Sequence, residues 1–352
     1  MTPTRALWVG LLAAAGTLPA LAASERHGSV VTEYLSSDAL KANTVGVDAR
    51  RSVSVYLPPG YGEGQKAYPV VYYLTGLFWS NEKLFADPRT QKLLDRAMSE
   101  GVTKEFILVA ANYSTANGGS FYENSPVTGN WQGFIVDELV PFVDKRFRTL
   151  PSRESRGITG EVMGGYGALK MAMLHPEVFS VVYALHPSAT GTGWVPMSSV
   201  VDWAKVHRAK SFKDLEGDGF AQVFTAMSQA FLPNPGRPPF SCDFMVEMEN
   251  GAPKLNVAHA QKLQDGFLLD HMLVRYADNL RKLRAIKFDW GRYDSNQDHV
   301  YANQAFTRKL DELGIEHFAE EYRGNAWEKN WTDDGRVHDE LLPFFSRYLV
   351  FE

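Results

Sequence analysis

The sequence predicts an α/β domain built on a doubly wound, mostly parallel sheet with a helical cap insertion. Three observations carry this. Short β-rich runs alternate with helix-length segments along most of the chain. The inner β runs are near-continuously apolar, as in strands covered on both faces. A long stretch, from about 191 to 283, interrupts the rhythm. With 352 residues, 45% hydrophobic and 12% aromatic, the chain is large enough for a core of several buried layers.

Taken in order, Ser52–Leu57 alternates with the period of two that marks a half-buried strand. Pro58-Pro59-Gly60 stops it, because proline cannot donate to a ladder and glycine favours a turn. Tyr68–Leu74 and Phe106–Ala111 are β-branched and aromatic runs, Phe179–Leu185 and Ile286–Trp290 resemble them, and a further strand is expected at Ile315–Tyr322. Helical patterns fall between, at Gln91–Met98, Phe134–Phe147, Gly165–Leu174, Tyr301–Leu313 and Glu340–Leu349. The interrupting stretch is helical in places and broken by Pro233, Pro235, Pro238 and Pro239. An insertion of this size between two strands reads as a cap over the strand ends, where open α/β sheets bind ligands. A purely structural appendage is the alternative.

Residues 1–22 read as a signal peptide. Arg5 supplies a basic start, Ala6–Leu18 an apolar run, and Ala20-Leu21-Ala22 a small-residue cleavage site. That run is shorter than the roughly 20 residues a membrane span needs. The mature protein is expected to begin near Ala23 or Ser24, with residues 23–352 forming one domain that is periplasmic or secreted and spans no membrane after cleavage. A net charge of −5 gives no electrostatic case for nucleic acid. The single Cys242 excludes an intramolecular disulfide and a cysteine-based metal site. No metal-ligand or phosphate-loop spacing is present, so no metal and no cofactor is predicted.

The run Arg156-Gly-Ile-Thr-Gly160-Glu-Val-Met-Gly164-Gly-Tyr-Gly167 has the shape of a strand, a glycine-bounded sharp turn and a small-residue helix start. This is the G-x-S-x-G nucleophile elbow with Val162 in place of serine. Together with Tyr68-Pro-Val-Val-Tyr-Tyr-Leu-Thr-Gly76, Phe121-Tyr-Glu-Asn-Ser-Pro126, Gly129-Asn-Trp131, Gly291-Arg-Tyr-Asp294 and Leu342-Pro-Phe-Phe-Ser346, it resembles the α/β-hydrolase esterases. These include S-formylglutathione hydrolases, feruloyl esterase-like domains and antigen 85-like mycolyltransferases. The likeness runs from about Ser52 to Leu349.

The resemblance implies a triad in the chain order nucleophile, acid, histidine. It puts the acid at Asp294, with Asp298 as the fallback, and the base at Ala326, in the loop Tyr322–Trp327 after the last strand. Valine cannot attack a carbonyl carbon and alanine cannot relay a proton. His299, His317 and His338 are near in sequence and could occupy the base's space. The resemblance also puts the backbone oxyanion donors at Met163 and Leu77, the latter in a loop where relatives often have His-Gly. Those donors can outlast a change of side chain if the turn keeps its shape.

Other candidates each have a plain reading beside a functional one. Glu161 next to the elbow could act as a general base, bind a cationic ligand, or hydrogen-bond under the turn. His186 ends a strand where sheet ends approach the cleft, or is a satisfied structural histidine. Ser188 or Thr159 could replace the nucleophile. Trp79, Trp131, Trp194, Trp327 and Trp331 fall in predicted loops or element ends, suited either to a flat ligand or to ordinary packing. The reading that follows is an exported, non-hydrolytic pseudo-esterase that binds a small molecule under the cap, near Met163 and Leu77. The alternatives are an enzyme using Glu161, His186 or Asp294 in acid/base chemistry on an ester-like or carbonyl substrate, and a secreted interaction module.

Overall fold

The computed structural model describes residues 26–191, 197–326 and 330–352. The leader at 1–22 and the rings of Trp194 and Trp327 lie outside the described residues. Eight strands among them form one sheet: β1 (Ser29–Ser36), β2 (Arg50–Leu57), β3 (Val70–Leu74), β4 (Ile107–Ala111), β5 (Arg156–Glu161), β6 (Val181–Leu185), β7 (Ala285–Gly291) and β8 (Phe318–Tyr322). Their order is β1-β2-β4-β3-β5-β6-β7-β8. The pairs β1–β2 and β2–β4 are antiparallel and the rest parallel.

Both faces of the sheet are covered, which explains the unbroken apolar runs. Along β3 the side chains alternate between two cores. Val70, Tyr72 and Leu74 face one layer, which includes Phe134, Leu139, Met171 and Phe306. Val71 and Tyr73 face the other, with Leu93, Leu94, Leu342 and Phe345. The helix Met163–Leu174 after β5 is buried from Met163 to Met173. It lies between the sheet and the helix Leu269–Leu280, whose buried stripe is Leu269, Leu273, Ala277 and Leu280. Enclosed all round, it has no reason to show an amphipathic pattern.

The predicted strands and helices recur within a few residues of their expected ends. The helix expected at Phe134–Phe147 continues one from Trp131 and reaches Arg146, with a widened turn over Phe134–Leu139. The last helix is widened likewise over Val337–Leu341. Each widened turn stops two residues before a proline, Pro141 or Pro343, which lacks an N–H and crowds the preceding turn. One strand carries no expectation of its own: β1, whose half-exposed edge gives a mixed pattern.

The insertion divides into parts. Helices Trp203–Arg208, Gly219–Phe231 and Val257–Phe267, with a ribbon of Val246–Glu249 and Ala252–Leu255, make up one part. Phe231 and Phe267 pack edge-on against Phe121, and Phe267 is tilted against Tyr166. The segment Leu269–Leu280 belongs instead to the layer flanking the sheet. No helix among the described residues is long and apolar enough to cross a membrane.

Candidate functional site

The elbow sits at the end of β5. Val162 has φ 52° and ψ −105°, a backbone setting that L-residues avoid and that β-branched residues avoid most. Such strain costs on the order of 1–3 kcal/mol and persists only where surroundings enforce it. They do so here. A Cβ on Gly160 would stand 2.5 Å from the Leu74 carbonyl oxygen, and one on Gly164 only 2.0 Å from it. The turn therefore rests directly on the end of β3. Val162 N–H donates to Leu185 O at 3.0 Å, and Ser188 N–H to Val162 O at 3.1 Å, tying the bend to β6. The geometry of a nucleophile elbow is intact, and its tip is hydrocarbon.

The ground near the oxyanion positions is nearly filled. Thr75, Gly76, Leu77, Gly119, Phe121, Tyr122 and Met163 are among the residues around a void of about 10 Å³, the limit for one water. Leu77 fills the space over Gly119, where a Cβ would meet its Cδ2 at 2.4 Å, and the Phe78 ring covers Gly118. Leu77 and Met163 themselves border only this small void, because side-chain packing in that loop closes over the backbone donors. Trp131, also expected at the ligand, is fully buried, edge-on to Phe134 and beneath the Arg51 guanidinium. It is a core residue.

Asp294 follows β7, and its carboxylate takes two imidazoles. His186 Nε2 lies 2.6 Å from Oδ2 and His299 Nδ1 2.8 Å from the same oxygen, while Asn296 N–H donates to Oδ1 at 2.9 Å. Burial opposes the charge on Asp294, but these three donors outweigh it and hold the carboxyl well below the usual carboxylate range. Gly291 N–H donates to His186 Nδ1 at 2.9 Å, so Nε2 carries the ring proton. His186 is wholly buried and both ring nitrogens are engaged, and its backbone N–H donates to Asp289 Oδ1 at 3.1 Å. His186, Asp294 and His299 have ligand atoms within 4.8 Å of one another, but a protonated Nε2 has no lone pair for an ion. The trio is satisfied by hydrogen bonds.

The remaining histidines separate. His317 stacks on Phe288, and His338 bonds Asp339. Only His299 of the three near-sequence candidates reaches Asp294. The loop after β8 crosses close to β7, with Arg292 N–H on Tyr322 O and Tyr293 N–H on Gly324 O, both 2.9 Å. Ala326 is buried there. Thr159 donates to Tyr183 O at 2.6 Å. Ser188 Oγ is buried and has no hydrogen-bond partner among the described residues.

The same loop makes a second feature that the sequence did not reveal. A recess of about 430 Å³ opens between Tyr73, Thr75, Gly76, Trp79, Asn330 and Trp331, with Glu161 beside the elbow. Glu161 Oε1 accepts from Tyr73 Oη at 2.8 Å and from Trp331 Nε1; Oε2 accepts from Asn330 Nδ2 at 3.0 Å. Burial, then the charge of Glu161, pushes the Tyr73 phenol well up, so it remains a donor. Tyr73 and Trp331 meet edge to face at 5.7 Å. Arg336 anchors the segment by donating to Asp289 at 2.8 Å and Glu320 at 2.5 Å and 3.0 Å.

Known proteins resemble this chain in both sequence and fold. The endo-1,4-beta-xylanase/feruloyl esterase of Xylanibacter ruminicola is 30% identical over 134 residues, covering 37% of this chain and 18% of that one. The S-formylglutathione hydrolase of Paracoccus denitrificans is 30% identical over 153 residues, 39% of this chain and 51% of that one. The chain thus spans about half or less of the length of these curated relatives. A ferulic acid esterase structure superposes with TM-score 0.62 at 19% identity, over 92% of this chain and 99% of that one. An S-formylglutathione hydrolase from Staphylococcus aureus gives 0.57 at 14%, over 91% and 100%. The Esterase family model, described as "Putative esterase", matches residues 44–334. With that match across most of its length, on an α/β-hydrolase sheet that carries an elbow after β5, the chain belongs to this esterase family.

Proposed function

We propose that this chain is a non-hydrolytic member of its family, exported, that binds a small molecule in the recess beside Glu161. One observation carries the reading: the side chain at the strained elbow, Val162, is an isopropyl group. Acyl transfer through this fold needs an oxygen there, activated by a base. Ala326 in the loop after β8 and the prior engagement of Asp294 by His186 and His299 support the same reading. The N-terminal apolar run with its Ala-x-Ala site supports export.

The test is enzymatic and covalent. Purified protein given p-nitrophenyl acetate and butyrate is expected to show no burst and no turnover above buffer. Intact-mass analysis after a fluorophosphonate probe is expected to show no adduct. A stoichiometric adduct, or turnover removed by changing one side chain other than Val162, overturns the reading.

A second reading rests on Glu161, a carboxylate beside a recess. An enzyme with non-triad acid/base chemistry would use it on a carbonyl or ester-like substrate, for a gain of ~10²–10⁴-fold. A substrate panel in which Glu161→Gln changes no pH-dependent activity removes that reading.

A further inference from the structure

Glu161 brings a carboxylate to the recess, and no cation among the described residues pairs with it. Its three donors, the Tyr73 hydroxyl, the Trp331 indole and the Asn330 amide, are all neutral. Among the described residues, no lysine, arginine or histidine comes within ion-pair distance. Two cations lie on the lining, and neither reaches Glu161. Lys83 Nζ donates to Phe78 O at 2.8 Å, and the Arg89 guanidinium is bonded to Asp87 at 2.8 Å and 2.5 Å. A carboxylate offers roughly four acceptor directions. Two donors fill Oε1 and one occupies Oε2, which leaves one acceptor direction on Oε2.

The walls add a second signal. Tyr73, Trp79 and Trp331 supply three aromatic rings to the lining. Trp79 is 51% exposed, a large ring presented to solvent at the mouth. Aromatic faces attract cations through the ring quadrupole. An anion would meet an unneutralised carboxylate, and an apolar guest would strip water from it without giving a partner. A donor with positive charge answers both the open acceptor and the rings.

Resting on the ligand-binding reading above, we propose that the recess takes a small organic ammonium ion, a primary or secondary amine on a compact body. One N–H would go to Glu161 Oε2 and the charge would lie against the rings. Tyr73, Trp331 and Asn330 hold the carboxylate in place beforehand, which lowers the cost of ordering it on binding.

The experiment uses the whole protein and three probes of one shape: phenethylamine, 2-phenylethanol and 3-phenylpropionate. Calorimetry measures binding and tryptophan fluorescence follows Trp79 and Trp331. The amine is expected to bind saturably, about tenfold or more tighter than the alcohol, with no binding of the carboxylate. Glu161→Gln is expected to remove that preference, lowering amine affinity by about tenfold or more. Trp79→Ala changes an exposed side chain and keeps the test alive if the Glu161 variant does not fold. It is expected to weaken the amine about two- to fivefold. Equal affinity for amine and alcohol, a preference for the carboxylate, or no amine binding overturns this proposal. The hydrolysis and adduct assays stand apart: they judge whether the chain is an esterase, whichever probe binds.

Discussion

Replacing Asp294 with asparagine separates an acid that anchors from an acid that catalyses. The carboxylate receives two imidazole N–H groups on Oδ2 and a backbone N–H on Oδ1. Hydrogen bonds to a charged group contribute about 1.5–3 kcal/mol each, and neutral ones about 0.5–1.5. Asparagine can keep its one oxygen toward the imidazoles. Its amide then points N–H at the Asn296 N–H and loses that bond. Two bonds weakened by about 1 kcal/mol each and a third, charge-assisted one lost give a destabilisation of about 3.5–5 kcal/mol at neutral pH.

The pH dependence has a definite sign. The folded carboxyl is held below its unfolded value. Its contribution is therefore fully present above the unfolded pKa, near ~3.9, and drains away as pH falls from there toward the depressed folded value. Urea unfolding of both proteins at pH 7 and pH 3 measures this. The gap between wild type and Asp294→Asn is expected to be widest at pH 7 and to narrow at pH 3. A loss under about 1 kcal/mol at pH 7, or a gap that does not change with pH, would refute the assignment of Asp294 as a structural anchor.

Three further outcomes follow from the geometry. Gly164→Ala would drive a carbon to 2.0 Å from Leu74 O, against the Leu74–Thr75 backbone, and is expected to leave little soluble folded protein in an expression assay. Arg336→Met would leave the fully buried Asp289 carboxylate without its cation, held only by the neutral Tyr183 hydroxyl and His186 backbone N–H, and chemical denaturation is expected to show a loss of about 3–5 kcal/mol. Val162→Ser alone is expected to leave p-nitrophenyl acetate at its buffer rate, because a serine there still needs a base; Val162→Ser with Ala326→His is the variant in which turnover is expected to rise.

Most of the sheet was readable because burial on both faces leaves a plain mark, as in Val70–Leu74, where each residue is enclosed. The turn at Gly160–Gly164 was readable because its glycines answer a steric demand local to the strand end. The surroundings of Glu161 were not. Tyr73 lies 88 positions away, Asn330 169 and Trp331 170, so only folding brings the three donors to one carboxylate. The same holds for Asp294. Its place after a strand and a glycine could be anticipated, but its hold on His186, 108 positions away, depends on how β6 and β7 lie side by side. The closure over Gly119 depends on the rotamer of Leu77, which leaves no trace in sequence.

The bend at position 162 is imposed by neighbours and not by the residue it carries. The steric demand falls on Gly160 and Gly164, which can accept no carbon, while the tip between them is free to vary. A chain built this way has a fixed perch: whatever group replaces the isopropyl, an alcohol, a thiol or an imidazole, leaves the backbone from the same point and in the same direction. The scaffold is thereby a ready host for installing new reactivity, with placement already guaranteed by its two bare flanks.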